Sequence, residues 1–192
     1  NSDKTKLKGY YSTDGLNKFL NQYNSNKSVI LRLINSELFR NKLNNDVLEN
    51  FIKIGDNNSL GGLILNLKYL NIFSTKFFNC INQINKLFNK RARTAFVYSN
   101  LVKAGGIELF AECLKENGYL EYDDKSSYNI EDKTVDAITG KTFKEFKEEK
   151  LNLKLFYPAT FIIITGGGED SEDLPEIKQK IIREFFNNIE NK

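Results

Sequence analysis

Histidine is absent from this sequence, and so are methionine and tryptophan. Without an imidazole there is no Ser-His nucleophile pair, no histidine base and no His-ligated metal, which removes much of classical hydrolase chemistry. Only two cysteines occur, Cys80 and Cys113. Both lie in apolar helical patterns without paired spacing, so neither a zinc site nor a disulfide framework is indicated, and a reduced, intracellular protein is the simpler reading. No apolar run approaches the roughly 18 residues of a membrane span, so no membrane partner is expected. The opening Asn-Ser-Asp-Lys-Thr-Lys also lacks a signal-peptide core. A dominant charge is missing too: 28 basic residues face 25 acidic ones, so net charge alone does not argue for nucleic acid, and any binding patch must be local. The lack of an initiator Met suggests a piece of a longer chain, and the abundance of Asn, Lys and Ile reflects AT-rich codons.

What is present is material for a core. Hydrophobic residues make up 40% of 192 positions, with 15 Phe and 9 Tyr, enough for one domain or a small domain with an insertion. Positions 1–60 are Asn-rich, with short helices expected at Gly15–Tyr23 and Asn45–Ile54; in the second, Asp46 is the candidate cap, Val47, Leu48, Phe51 and Ile52 form the apolar stripe, and Gly55 is the stop. Gly61-Gly62 interrupts the pattern, and Leu63–Leu70 carries no clear assignment.

The strongest helix signal starts at Ser74 and spaces Phe77, Phe78, Ile81, Ile84, Leu87 and Phe88 by three and four. Thr94–Ser99 then reads as a buried strand. Ile107–Leu114 is an amphipathic helix stopped at Gly118, with a short strand opening at Tyr119 and Leu120. From Asp123 to about Lys154 the chain is charged and reads as an insertion. Ala159–Ile164 follows as a second apolar strand, and Pro175 opens a final helix. Strands apolar on both faces, alternating with helices, imply an α/β fold whose parallel sheet meets ligands at the strand ends, here Ser99-Asn100 and Thr165-Gly166.

Several motifs have two readings. Gly140-Lys141-Thr142 has the ending of a phosphate loop, but Val135 stands where its first glycine belongs, and the segment follows a polar stretch rather than a strand. Gly166-Gly167-Gly168 lies between strand and helix, where free N–H groups suit a phosphate. The acidic Glu169, Asp170, Glu172 and Asp173 after it favour a plain loop. Lys90, Arg91 and Arg93 suit either a phosphate backbone or a solvated basic loop. Tyr98 and Phe110 read as core rather than as stacking platforms for bases.

The series Ser74-x-Lys76, Phe96-Val97-Tyr98-Ser99, Gly106-Ile107-Glu108-Leu109 with Gly118-Tyr119, Ile164-Thr165-Gly166 and Arg183-x-x-Phe185-Phe186-Asn187 is similar, in order and spacing, to the C-terminal lobe of superfamily 2 helicases. Phe96–Val102 and Phe156–Phe161 resemble most the helicases of large DNA viruses, including the poxvirus-type early transcription factor subunit and its giant-virus counterparts. The resemblance implies a partial RecA-like lobe at 67–192, a parallel sheet flanked by helices with a polar insertion at about 123–154; it does not extend to 1–66, which reads as a helical, Asn-rich appendage or insertion. It implies nucleic-acid contacts, to DNA or RNA, at Ser99, Asn100, Thr165 and Gly166, to which the basic Lys90, Arg91 and Arg93 add.

It further implies a parent that couples ATP and Mg2+ to movement on nucleic acid in viral transcription, located in the virion or viral factory. The missing N-terminal lobe and a viral RNA polymerase would be its partners. This piece would be inactive alone, because the phosphate loop, the magnesium motif and the arginine finger are not visible in it, Arg183 lying on the preceding helix. No cofactor is then expected in the piece itself. A non-catalytic helicase-like module that docks to a polymerase, and an unrelated α/β domain, are the alternatives.

Overall fold

A computed structural model describes residues 12–33, 35, 43–55, 59–90, 94–102, 106–122, 128–165 and 176–186. The chain divides into two units, one of Asn1–Asn79 with Ser99–Asn117 and one of Cys80–Tyr98 with Gly118–Lys192.

In the first unit, α1 (Ser12–Leu33) kinks at Asn26, where φ −133° and ψ 29° leave the helical region. The Ser25 hydroxyl and the Asn26 amide donate to carbonyls one turn back, at 2.9 and 3.3 Å, a local competition that bends helices. Leu20 and Tyr23 are buried, and the Tyr23 hydroxyl donates to the Ile52 carbonyl at 3.3 Å. The next helix, α2, covers only Asn45–Glu49. Its cap is Asn44, whose side chain accepts from the Val47 amide at 2.8 Å, and not Asp46, which sits in the first turn.

The expected helix over Asn45–Ile54 is therefore too long. Lys53–Ile54 forms β1, paired antiparallel with β2 (Leu60–Gly61), and these cross-strand bonds replace a helix that would have to propagate from a single turn. Phe51 and Ile52 still become core, and Phe51 meets Tyr69 at 5.2 Å and Phe73 at 6.0 Å between ring centroids. The unassigned Leu-rich stretch is a 3-10 turn, Leu63–Leu65, followed by α3 (Leu67–Phe73), which is capped by the Asn66 side chain.

Helix α4 (Thr75–Asn85) begins after Ser74, whose hydroxyl accepts from the Phe77 amide at 3.3 Å. Helix α5 (Ile107–Glu116) buries Phe110, Ala111, Cys113 and Leu114. Asn117 ends it: its side-chain amide donates to the Cys113 and Leu65 carbonyls at 2.7 and 2.9 Å, and its oxygen accepts from the Leu67 amide at 2.8 Å. One side chain thus ties the end of α5 to the start of α3.

In the second unit, Gly118 takes φ +87°, and a Cβ there would lie 2.0 Å from the Lys133 carbonyl oxygen, so the helix stop requires glycine for conformation and for space. Leu120–Glu121 forms β3 and Thr160–Phe161 forms β4; they pair in parallel, Leu120 with Thr160 and Glu121 with Phe161. The connection between them carries α6 (Phe143–Glu148) and a 3-10 turn, Leu153–Leu155. Phe143 and Phe146 pack against Phe156, at 5.0 and 5.1 Å. The last described element is α7 (Glu176–Ile181), continued by a π turn over Ile182–Phe186.

Two strand expectations need correction. Thr94–Ser99 forms no strand, and Phe96 and Tyr98 are 85% and 77% exposed rather than buried. The other apolar run is paired only at Thr160–Phe161, and Ile164 is exposed. The reason is the supply of partners. Residues 157–161 spend their backbone bonds on 120–122 and on 135–137: Leu120 and Tyr122 amides donate to Ala159 and Phe161, Ala159 donates to Val135, and Ala137 donates to Tyr157. An apolar sequence becomes a strand only beside another strand, and among the described residues no strand pairs with Phe96–Ser99. The two strands named from the sequence are thus not paired; the described residues are mixed helix and sheet with two small sheets. No helix among the described residues is long and apolar enough to cross a membrane.

Candidate nucleic-acid interface

The turn after Tyr98 is built by its own side chains. The Ser99 hydroxyl donates to the Leu101 carbonyl at 2.9 Å and accepts from the Leu101 amide at 3.2 Å, which leaves Asn100 exposed at the bend. The Leu101 and Val102 carbonyls then accept from the Ile107 and Glu108 amides, at 3.0 and 3.1 Å, so the start of α5 is satisfied by backbone. Gly106 permits this approach, because a Cβ there would lie 2.0 Å from the Leu101 carbonyl oxygen.

The remaining site residues are distributed. Lys90 is exposed at the end of the turn that follows α4, where Asn89 takes φ 60° and donates its amide to the Ile138 carbonyl at 2.8 Å. Thr165 is half-buried beyond β4. Ser99 and Asn100 belong to the first unit, Lys90 and Thr165 to the second. Arg91, Arg93 and Gly166 lie outside the described residues, as do Gly167, Gly168 and the acidic residues that follow them.

Of the two aromatics read as core, Phe110 is buried and meets Phe77 at 5.3 Å, whereas Tyr98 stands in solvent beside the exposed Phe96. The sequence holds a signal for this region that net charge conceals. Every charged residue from Asn57 to Ile107 is basic, seven in all, and Lys68, Lys76, Lys86 and Lys90 among them are exposed.

Gly140-Lys141-Thr142 does not fit ATP. Its three amides are committed, to the Asp136 carbonyl, the Thr139 hydroxyl and the Glu145 carboxylate, and the Lys141 ammonium pairs with Glu149. Thr142 is the cap of α6, in a capping box with Glu145. The Thr142 amide and hydroxyl hold the Glu145 carboxyl below the usual carboxylate range, and the Lys147 ammonium does the same for Asp132.

The organiser of this segment is Asp136, fully buried, which composition gave no reason to single out. One carboxylate oxygen accepts from the Ile138 amide, the Thr139 amide and the Thr139 hydroxyl at 3.1, 2.7 and 2.8 Å; the other accepts from the Tyr157 amide at 2.8 Å. Every bond it makes is internal, which identifies it as a structural group. Burial pushes the Cys113 thiol up to about 12, with Glu112 and Glu116 adding to the shift, so it is a protonated core group rather than a nucleophile. Among the described residues no cluster of three or more His, Cys, Asp or Glu could hold a metal ion.

No protein-family model matches this sequence, and no solved structure matches it. A protein of Acanthamoeba polyphaga mimivirus that bears the provisional name ATP-dependent RNA helicase is 36% identical to it over 193 aligned positions, covering 97% of this chain. The chain spans 17% of the length of that relative. The similarity therefore links nearly the whole chain to a helicase-related protein of a giant virus.

Proposed function

We propose that this chain is part of an ATP-dependent nucleic-acid motor of the giant-virus type, contributing backbone contacts from a lobe of the superfamily 2 C-terminal kind. The observation that carries this reading is the 36% identity extending over 97% of the chain to a provisional viral RNA helicase. The run of basic residues without an acid between positions 57 and 107 supports it, because phosphate contacts need local positive charge whatever the net charge.

In this reading Asn100 and Lys90, with Ser99, Thr165, Gly166, Arg91 and Arg93, meet the phosphate backbone of DNA or RNA. ATP and Mg2+ are used elsewhere in the parent, since the Gly140-Lys141-Thr142 amides are already occupied. The chain alone is then inactive as an ATPase, and a role of the parent in viral transcription, beside a viral polymerase, follows from the family resembled.

Anisotropy titration with single-stranded RNA and DNA at low and physiological salt tests the reading. Binding should weaken with salt, and changing Lys90, Arg91 and Arg93 together to Ala should lower the log–log salt slope by about 2, from roughly 0.7 per phosphate contact on a single strand. Absence of binding at low salt would contradict it and favour a module that docks to protein.

A further inference from the structure

Phe96 and Tyr98 are 85% and 77% exposed, while Val97 and Ser99 between and after them are half-buried. Exposure thus alternates with the two-residue period of an extended chain, which places both rings on one side. That period sets their Cα atoms about 6.6 Å apart. Stacked bases rise about 3.4 Å per step along one strand, so two steps match the separation of the rings. Among the described residues, Phe96, Val97 and Tyr98 make no hydrogen bond. In the first unit, Leu101 and Val102 are 52% and 40% exposed.

An exposed apolar run of this kind needs an occupant, and charge selects it. The run lies within the span from Asn57 to Ile107 in which every charged residue is basic, whereas the rest of the chain carries more acid than base. A polyanion whose residues present flat apolar faces answers both features, and single-stranded nucleic acid is such a polymer.

We propose that Phe96 and Tyr98 form a base-stacking platform for single-stranded nucleic acid. This rests on the nucleic-acid reading above and adds that the bases, besides the phosphates, are held. Stacking on exposed aromatics tolerates any base, as a motor that moves along arbitrary sequence requires. It also acts on unpaired strands, because the faces of bases within a duplex are already covered.

The chain lacks tryptophan, so Phe96→Trp introduces a single indole as a reporter. Short single-stranded RNA and DNA oligonucleotides, and abasic oligonucleotides of equal length, are titrated against this variant and against the unmodified chain at low salt. Stacking predicts quenching of the indole by base-containing strands but not by abasic ones. Changing Phe96 and Tyr98 together to Leu, which keeps the surface apolar, should weaken binding of base-containing strands by about tenfold or more while leaving the abasic strand unaffected. RNA and DNA are distinguished by which strand binds tighter.

If binding is salt-dependent but equal for base-containing and abasic strands, and the Leu variant binds as well as the unmodified chain, the platform is wrong while the backbone reading stands. If no strand binds at low salt, both fail, and the exposed run belongs to a protein surface.

Discussion

The stretch around Asp136 and the run from Phe96 to Val102 invert what their compositions suggest. The first is charged and polar, yet Thr134, Val135 and Asp136 are buried to within 9% of full exclusion. The second is largely apolar, yet Phe96, Tyr98, Leu101 and Val102 are exposed. The difference lies in where backbone bonds go. In the first, the Asp136 carboxylate gathers four donors from three residues, and backbone groups of residues 134–142 bond to one another and to Asn89, Gly118, Glu131, Phe143, Phe146, Tyr157 and Ala159. In the second, no strand among the described residues pairs with the run. Burial follows the satisfaction of polar groups as much as it follows hydropathy.

Asp136→Ala should separate the two regions most widely. It leaves four donors in a buried site without their acceptor and should destabilise the second unit by about 3–5 kcal/mol, with Asp136→Asn losing less because one oxygen remains. Chemical denaturation followed by circular dichroism reads the change, and a cost under about 1 kcal/mol would show that the node is not what holds the segment. Gly118→Ala should cost about 2–4 kcal/mol in the same assay, since the substitution combines a left-handed backbone with a clash against the Lys133 carbonyl.

Thr142→Ala removes the cap of α6 and should cost about 1 kcal/mol. Because the Glu145 carboxyl lies below its ordinary value of 4.5 in the folded chain, its contribution is present above that pH and is lost as pH falls through the lowered value. In the Thr142→Ala chain this acid sensitivity should shrink, and an unchanged pH profile would show that the box contributes nothing. At the other end, Phe96→Ser with Tyr98→Ser should alter stability by no more than about 0.5 kcal/mol, despite removing two aromatic side chains. A loss of several kcal/mol in urea denaturation would show that these rings are core and would erase the contrast.

The helical part of the fold was legible because spacing by three and four reports directly on one buried face. The face of Phe77, Ile81 and Ile84, and that of Phe110, Cys113 and Leu114, both appear as helices with Ile81, Phe110, Cys113 and Leu114 buried. So was the stop at Gly118. Pairing was not legible: a strand signal specifies a chemical preference but not a neighbour; Thr160–Phe161 pairs with Leu120–Glu121, while Pro158 just before it bridges to Asp136, in a segment whose polarity hid it. Asp136 escaped because a lone buried carboxylate has no sequence period. At the candidate interface, Ser99 and Asn100 do form the turn expected of them, whereas the exposure of Tyr98 beside Phe96 contradicts a reading based on hydropathy alone.

Hydrogen exchange of the chain with and without a single-stranded oligonucleotide, comparing the amides of residues 94–102 with those of 134–142, tests the contrast most directly. The expected result is slow exchange over 134–142 in both states, and fast exchange over 95–98 in the free chain that slows when the strand is added. Slow exchange over 95–98 in the free chain, or no change there on adding a strand that binds, would contradict the assignment of the apolar run to binding.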